Sequence, residues 1–307
     1  MNTSDWPAIV AAMRAGGYYD RVMSAGPELD RVKEYLRCFA GERVPANRAG
    51  GMNPKYPCFP GLGNRPFHDS AGFAPAAALE EAWTTIRDEA LALGEDAELD
   101  YTIASAPVRS LRRPWTYLKR RAPPRAWTIY PFWHMGVDTE SLTRRCPRTM
   151  AVLARLPGLC VEYPWGDAVF SVQGPRSSLR RHCSVDSLRL RCHLGLRIPK
   201  GTGIQVASET RTWAEGRCLL FEDAFEHEVW NHSGERRVVL IVDFWHPDLT
   251  AAEIETLTAG FAKREVRRIF MAQRISNTNA AGPYIAHLEK AIERQEGSAL
   301  MRRYWDP

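Results

Sequence analysis

With 307 residues, 45% hydrophobic and 25% charged, the chain has the composition of a packed globular protein long enough for one large domain or two small ones. A formal charge of +5 suits an acidic partner or substrate but falls short of a nucleic-acid footprint, and no run of about 18 apolar residues marks a membrane span. The seven cysteines (38, 58, 146, 160, 183, 192 and 218) are odd in number and form no C-x-x-C pair, and MNTSDWPAIVAAMRAGG lacks the basic stretch and apolar core of a secretory signal. The expectation is a cytoplasmic protein with reduced thiols, bound neither to membrane nor to nucleic acid.

In chain order, residues 5–40 read as helical, with Ile9, Val10, Met13, Val32, Tyr35 and Leu36 at helical spacing, punctuated by Gly16-Gly17 and Gly26-Pro27. Residues 41–70, rich in Gly, Pro and Asn, read as extended loop. A helix over about 75–93 sets Leu79, Trp83, Ile86 and Ala90 on one face. The stretch 105–125 carries Arg109, Arg112, Arg113, Lys119, Arg120, Arg121 and Arg125 around Trp115 and Tyr117. It reads first as a solvated basic loop and second as a surface for an acidic partner. From 126 the texture changes to short strands: AWTIYPFW, DAVFSVQ, LRLRCHLGLRI, TGIQVAS, CLLFED, HEVWN and RVVLIVDFW. Without regular helix alternation these predict an antiparallel sandwich or barrel, and helical spacing returns after His246-Pro247.

Three segments carry the chemistry. In LRLRCHLGLRI, strand alternation puts Arg189, Arg191, His193 and Gly195 on one face and Leu188, Leu190, Cys192, Leu194 and Leu196 on the other. Guanidinium groups lining an inner barrel wall are costly to bury unless they meet anions, whereas on a solvent-facing strand they mean nothing in particular. In FEDAFEHEVWN, His227 opens a strand after an apolar one and an acidic turn, a place for a metal ligand or a structural histidine. In RRVVLIVDFWHP, Arg237 opens a strand ten residues after His227, within reach of a carboxylate in the same pocket.

The blocks RLRCHLGLRIPKG, ETRTWAEGRCLLFEDAFEHEVWN and RRVVLIVDFWHPDLT resemble the aspartyl/asparaginyl β-hydroxylase family over Ser171–Thr250. A weaker likeness runs back through WTIYPFW and the WTTIRDEALAL helix to FPGLGNRPF, so the resemblance covers about 60 to 250. It implies a double-stranded β-helix, a jelly-roll, mainly β with flanking helices. It also implies three regions: N-terminal helices and loop (1–60), a dioxygenase domain (61–250) and a C-terminal helical extension (251–307). His182 and His227 fall on the family's iron ligands, Ser171 and Arg237 on the pair that holds the distal carboxylate of 2-oxoglutarate, and His193 and Trp127 on co-substrate contacts. Arg191, with Arg189 beside it, matches the arginines that meet a substrate or co-substrate carboxylate, so Arg191→Ala is expected to cut activity and spare the fold.

The implied chemistry is that of an Fe(II)/2-oxoglutarate dioxygenase, with O2 as oxidant and two neutral imidazoles holding the metal. Ser184 stands where many related enzymes add a carboxylate, two residues after the first histidine, and Asp186 is badly spaced to replace it. The family's hydroxylases share that departure. The expected substrate is anionic, either small or presented by a peptide or carrier, with the β-carbon of Asp or Asn as leading choice. A free-amino-acid hydroxylase or halogenase, or an inactive jelly-roll binding protein, is the alternative.

Overall fold

The computed structural model describes residues 6–45, 49–93, 103–104, 108–110, 127–134, 136–275, 289–290, 292–293, 296 and 298–305. Most of the basic stretch 105–125 lies outside them. Thirteen strands are described: β1 (Phe67–His68), β2 (Ile103–Ala104), β3 (Val108–Ser110), β4 (Trp127–His134), β5 (Val137–Asp138), β6 (Ala168–Gln173), β7 (Ser177–His182), β8 (Arg189–Arg197), β9 (Thr202–Val206), β10 (Glu209–Arg211), β11 (Cys218–Phe221), β12 (His227–Asn231) and β13 (Arg237–Trp245). They form two antiparallel sheets, a larger one in the order β1-β11-β8-β13-β6-β4-β2 with β5 beside β4, and a smaller one in the order β10-β9-β12-β7-β3.

The sheets meet across one apolar layer. Ile129, Val169, Phe221, Val239 and Ile241 of the larger sheet pack with Leu179, Ile204, Val206 and Val229 of the smaller one. This is the double-stranded β-helix, and period-2 alternation builds it. On β8 the other face, Leu190, Cys192, Leu194 and Leu196, packs outward on a second cluster with Ala76, Leu79 and Ile86 of helices α4 (Ala74–Glu81) and α5 (Trp83–Ala92). Strand β13 is central in its sheet and buried along its whole length, which is why it reads as an unbroken apolar run.

Helices α1 (Trp6–Ala15), α2 (Tyr18–Met23) and α3 (Asp30–Phe39) pack with α8 (Ala251–Ala262), α9 (Arg264–Ile275) and a last described helix, Ala299–Trp305, in a third cluster that also takes in Trp165, Leu188 and Trp245. The regions before and after the barrel thus share one core.

Two elements differ from the sequence reading. The helix over 75–93 is two helices, meeting at Ala82. Residues 140–153 form α6 (Glu140–Arg145) and α7 (Pro147–Leu153), where no helix was expected. The N–H groups of Arg148 and Thr149 at the start of α7 donate to the buried carboxylate of Glu89 on α5, at 3.1 and 2.7 Å. This tertiary cap joins residues 59 or 60 positions apart, so local pattern does not show it. Among the described residues, no helix is long and apolar enough to cross a membrane.

Candidate functional site

The smaller sheet brings two histidines together. His182 ends β7, His227 opens β12, and they are direct cross-strand partners with ring centroids 4.1 Å apart. Each Nδ1 faces a backbone carbonyl, Arg180 O at 2.6 Å for His182 and Phe225 O at 2.9 Å for His227. A carbonyl only accepts, so both rings carry their proton on Nδ1 and present the Nε2 lone pair, the tautomer that ligates a metal. Burial, and then the neighbouring His182, push His227 down to about 3, and desolvation also lowers His182, although that residue is exposed on its outer side. Both rings are neutral donors at ordinary pH.

Ser184 offers no third ligand, since its hydroxyl donates to the carbonyl of Asp186 at 2.6 Å. Asp186 turns away into the fold, accepting from Leu188 N at 3.0 Å and Arg189 Nε at 3.3 Å. The carboxylate that acts on both imidazoles is Asp223, four residues before His227. It is buried, its Oδ1 has no partner, and its negative charge favours positive charge at the histidine pair.

Arg189 and Arg191 do lie on the β8 face predicted by alternation, but aspartates already occupy them. Arg191 grips Asp243 with Nε and Nη2, both at 2.7 Å, and its Nη1 lies 3.2 Å from Asp223. Arg189 is 3% exposed and bonds Asp243 at 2.9 Å, Asp186 at 3.3 Å and the Trp165 carbonyl at 2.6 Å. The expectation that Arg189 binds substrate is therefore corrected. With four carboxylates (Asp167, Asp186, Asp223 and Asp243) around two guanidinium groups, it is spent on holding a buried ionic network. Sequence reasoning weighed Asp186 only as a metal ligand and missed the aspartates as partners of the arginines, although Asp243, a lone acid in the apolar run RVVLIVDFW, signals a buried cation opposite it.

Arg237 is the reverse case, a buried cation without an anionic partner among the described residues. It is 1% exposed, its Nη2 donates to Gln173 Oε1 at 3.1 Å, and its Nε and Nη1 are unpartnered. It lies 4.8 Å over the ring of Trp213, and burial lowers its pKa to about 9. Trp213 in turn donates to His193 Nδ1 at 3.2 Å, so the His193 proton sits on Nε2, which is buried and unpartnered. His193 then meets Phe221 (4.9 Å between centroids), and Phe221 meets His227 (5.7 Å), linking Arg237 to the histidine pair through contiguous rings. Ser171 is also buried, beside Val239 on β13. The indole of Trp127 donates to its Oγ at 3.0 Å, so Trp127 positions the serine and leaves the serine O–H to donate elsewhere. Arg237, His193 and Ser171 thus bring hydrogen-bond donors to an interior that, among the described residues, gives Arg237 no carboxylate partner.

A family model described as aspartyl/asparaginyl beta-hydroxylase matches residues 80–247. An aspartate beta-hydroxylase domain-containing protein 2 from Mus musculus is 38% identical over 143 residues, 46% of this chain and 42% of that protein. An aspartyl/asparaginyl beta-hydroxylase from Homo sapiens is 34% identical over 185 residues, 59% of this chain and 22% of that protein. An ornithine lipid ester-linked acyl 2-hydroxylase from Rhizobium tropici is 34% identical over 203 residues, 65% of this chain and 66% of that protein. The chain therefore spans less than half the length of the first two relatives. A Pseudomonas putida prolyl-4-hydroxylase aligns over 56% of this chain and 98% of its own, with a TM-score of 0.34 and 15% identity.

Proposed function

This chain belongs to the aspartyl/asparaginyl β-hydroxylase family, and from that premise we propose that it is an Fe(II)- and 2-oxoglutarate-dependent hydroxylase using O2. The observation that carries the reading is Arg237, a buried guanidinium with two unpartnered nitrogens, joined through Trp213, His193 and Phe221 to two imidazoles that both present Nε2. Leaving a cation so buried costs several kcal/mol unless an anion arrives. A dicarboxylate would offer one carboxylate to Arg237 and the other to a metal at the histidine pair.

His182 and His227 would hold the iron, and Arg237 and Ser171 the distal carboxylate. Bound iron, with 2-oxoglutarate and O2, supplies the oxidation that inserts one oxygen atom into an unactivated C–H bond. The chain's own residues do the rest. The carbonyls of Arg180 and Phe225 fix both imidazole tautomers, and the His193 Nε2–H would be free to donate to the co-substrate. Phe221, Val239 and Ile241 keep water from the inner end. Asp223 adds negative charge beside the metal position, and Arg191 offsets it.

For the substrate we propose an Asp or Asn β-carbon, free or in a peptide. The carboxylate would meet Arg191, which is 17% exposed at the side chain and retains N–H capacity beyond its bonds to Asp243. Acyl 2-hydroxylation is the second reading, favoured by the long match to the Rhizobium tropici protein and by Arg191 being already engaged with two aspartates. Seven free cysteines support a cytoplasmic location.

Incubation with Fe(II), 2-oxoglutarate and each candidate (Asp- and Asn-containing peptides, free amino acids, acylated lipids) is expected to give succinate release coupled to a one-oxygen mass gain on one class. His182→Ala and His227→Ala should each abolish both signals. Full activity in either variant removes that histidine from the site, and added chlorine in place of oxygen would make the protein a halogenase.

A further inference from the structure

A second group of histidine and carboxylate side chains lies outside the site above. His68 on β1, Glu222 just after β11 and His246 just after β13 are all buried, and their potential ligand atoms lie within 4.8 Å of one another. We propose that these three side chains form a second, structural site for a divalent cation of the zinc class, clamping the ends of β1, β11 and β13, three strands of the larger sheet.

The cluster lacks what a hydrogen-bonded network would need. Glu222 Oε1 accepts from His68 Nε2 at 2.7 Å and from Arg65 N at 2.9 Å, but Glu222 Oε2 has no partner. His246 Nε2 lies 3.5 Å from Oε1 and makes no hydrogen bond, although the residue is 1% exposed. A buried carboxylate oxygen and a buried imidazole nitrogen left without hydrogen-bond partners side by side call for a further group, and a cation meets both once the imidazole proton has moved. Two imidazoles and one carboxylate are a zinc donor set, with a fourth position open to water. The two rings stand 5.9 Å apart at 80°, edge to face rather than stacked.

Cation binding requires one rearrangement. Nδ1 of His68 accepts from Arg65 Nε, and Nδ1 of His246 from Asp248 N, both at 3.2 Å, which keeps each ring proton on Nε2. On binding, each Nε2 proton leaves to solvent, the cation takes that lone pair, and a solvent proton returns to Nδ1, so no net proton is released. For His246 the ring must turn from Asp248 N, which gives up its hydrogen bond to Nδ1, toward Asp248 Oδ2, 3.7 Å from Nδ1, as in the carboxylate–histidine–zinc arrangement. For His68 the exposed Arg65 side chain swings away. Arg65 is thus a competitor of the cation.

The test uses the full chain carrying His182→Ala and His227→Ala, so that the iron site cannot contribute and failure of the proposed hydroxylase function does not affect the outcome. Titration with Co2+ should give visible d–d absorption at one equivalent, and Zn2+ should displace it and raise Tm. Adding His246→Gln or Glu222→Gln should weaken Co2+ binding by more than the about 10–100-fold that loss of an outer-shell partner costs. Adding Arg65→Ala, at an exposed side chain, should strengthen it several-fold. The proposal is overturned if the double variant binds neither metal at one equivalent. It also fails if binding is indifferent to His246→Gln and Glu222→Gln, or if Arg65→Ala weakens it.

Discussion

Arg237 shows how one side chain can be a liability in the empty protein and an anchor in the loaded one. Its charge is buried against an aromatic face and one amide oxygen, so an anion that pairs with it relieves a cost the fold already carries. Adding 2-oxoglutarate or an unreactive dicarboxylate analogue should raise Tm, and Arg237→Ala should erase that rise. The same variant should raise the KM for 2-oxoglutarate about ten- to a hundredfold, the worth of a charge-assisted pair of roughly 1.5–3 kcal/mol. Arg237→Lys should recover little, because an ammonium cannot reproduce the fork. An unchanged KM would take Arg237 out of the site. Arg191 changes meaning for the same reason. Alternation and the family likeness made it a reader of substrate whose loss spares the fold, but with Asp243 and Asp223 against it, Arg191→Ala leaves two buried carboxylates with Arg189 as their remaining guanidinium and should cost about 3–5 kcal/mol. That is comparable to the ~2–5 kcal/mol expected for Leu190→Ala on the opposite face. Melting curves therefore no longer separate the two. Succinate release per folded molecule should, falling for Arg191→Ala and holding for Leu190→Ala.

Strand β8 was fully legible because nine residues alternate without a break, and both faces found the partners their chemistry needs. Strand β7, which carries His182, was not. SSLRRH places one aliphatic residue, Leu179, in the inter-sheet layer and ends in three exposed positions, so no apolar period announces it. His182 was found through likeness to a family, and only the pairing of β7 with β12 shows that it faces a histidine 45 residues later. Helix α7 was missed because its cap comes from α5. There burial works against the charged form of Glu89, while hydrogen bonds from Thr149 and Arg148 outweigh it and hold its pKa below the usual 4.5. A carboxyl depressed in the folded state stabilises above its unfolded pKa, and that contribution fades as pH falls through the lower folded value. Glu89→Gln should therefore cost roughly 1.5–3 kcal/mol at pH 7, with the gap to wild type closing only below about pH 4.5, as urea midpoints across pH would show. A gap independent of pH would mean that the amide's shape, not the lost charge, is at fault.

Across the whole molecule, the barrel was readable as short alternating strands, whereas the joining of its two flanks was not. Helical spacing says that α1–α3 bury a face, and the same is true of α8, but nothing local says that they bury it against each other. Tyr18 shows the result. Its hydroxyl donates to Thr256 O at 2.7 Å, 238 residues away, and its ring stacks on Trp305 at 4.9 Å. Removing residues 299–307 takes away buried Met301, Tyr304 and Trp305, at about 1.5–3 kcal/mol each, so the truncated chain should melt well below the full one and be cut by protease within residues 6–39. Equal melting points would show that the two flanks are independent. There is a consequence for how the molecule is made. A ribosome releases the first helices long before the residues that cover them, so Tyr18 and its neighbours must wait in an unfinished state while the whole barrel is synthesised. Every nascent copy thus passes through an interval in which this apolar surface is open to chaperones, or to the same surface on another unfinished chain.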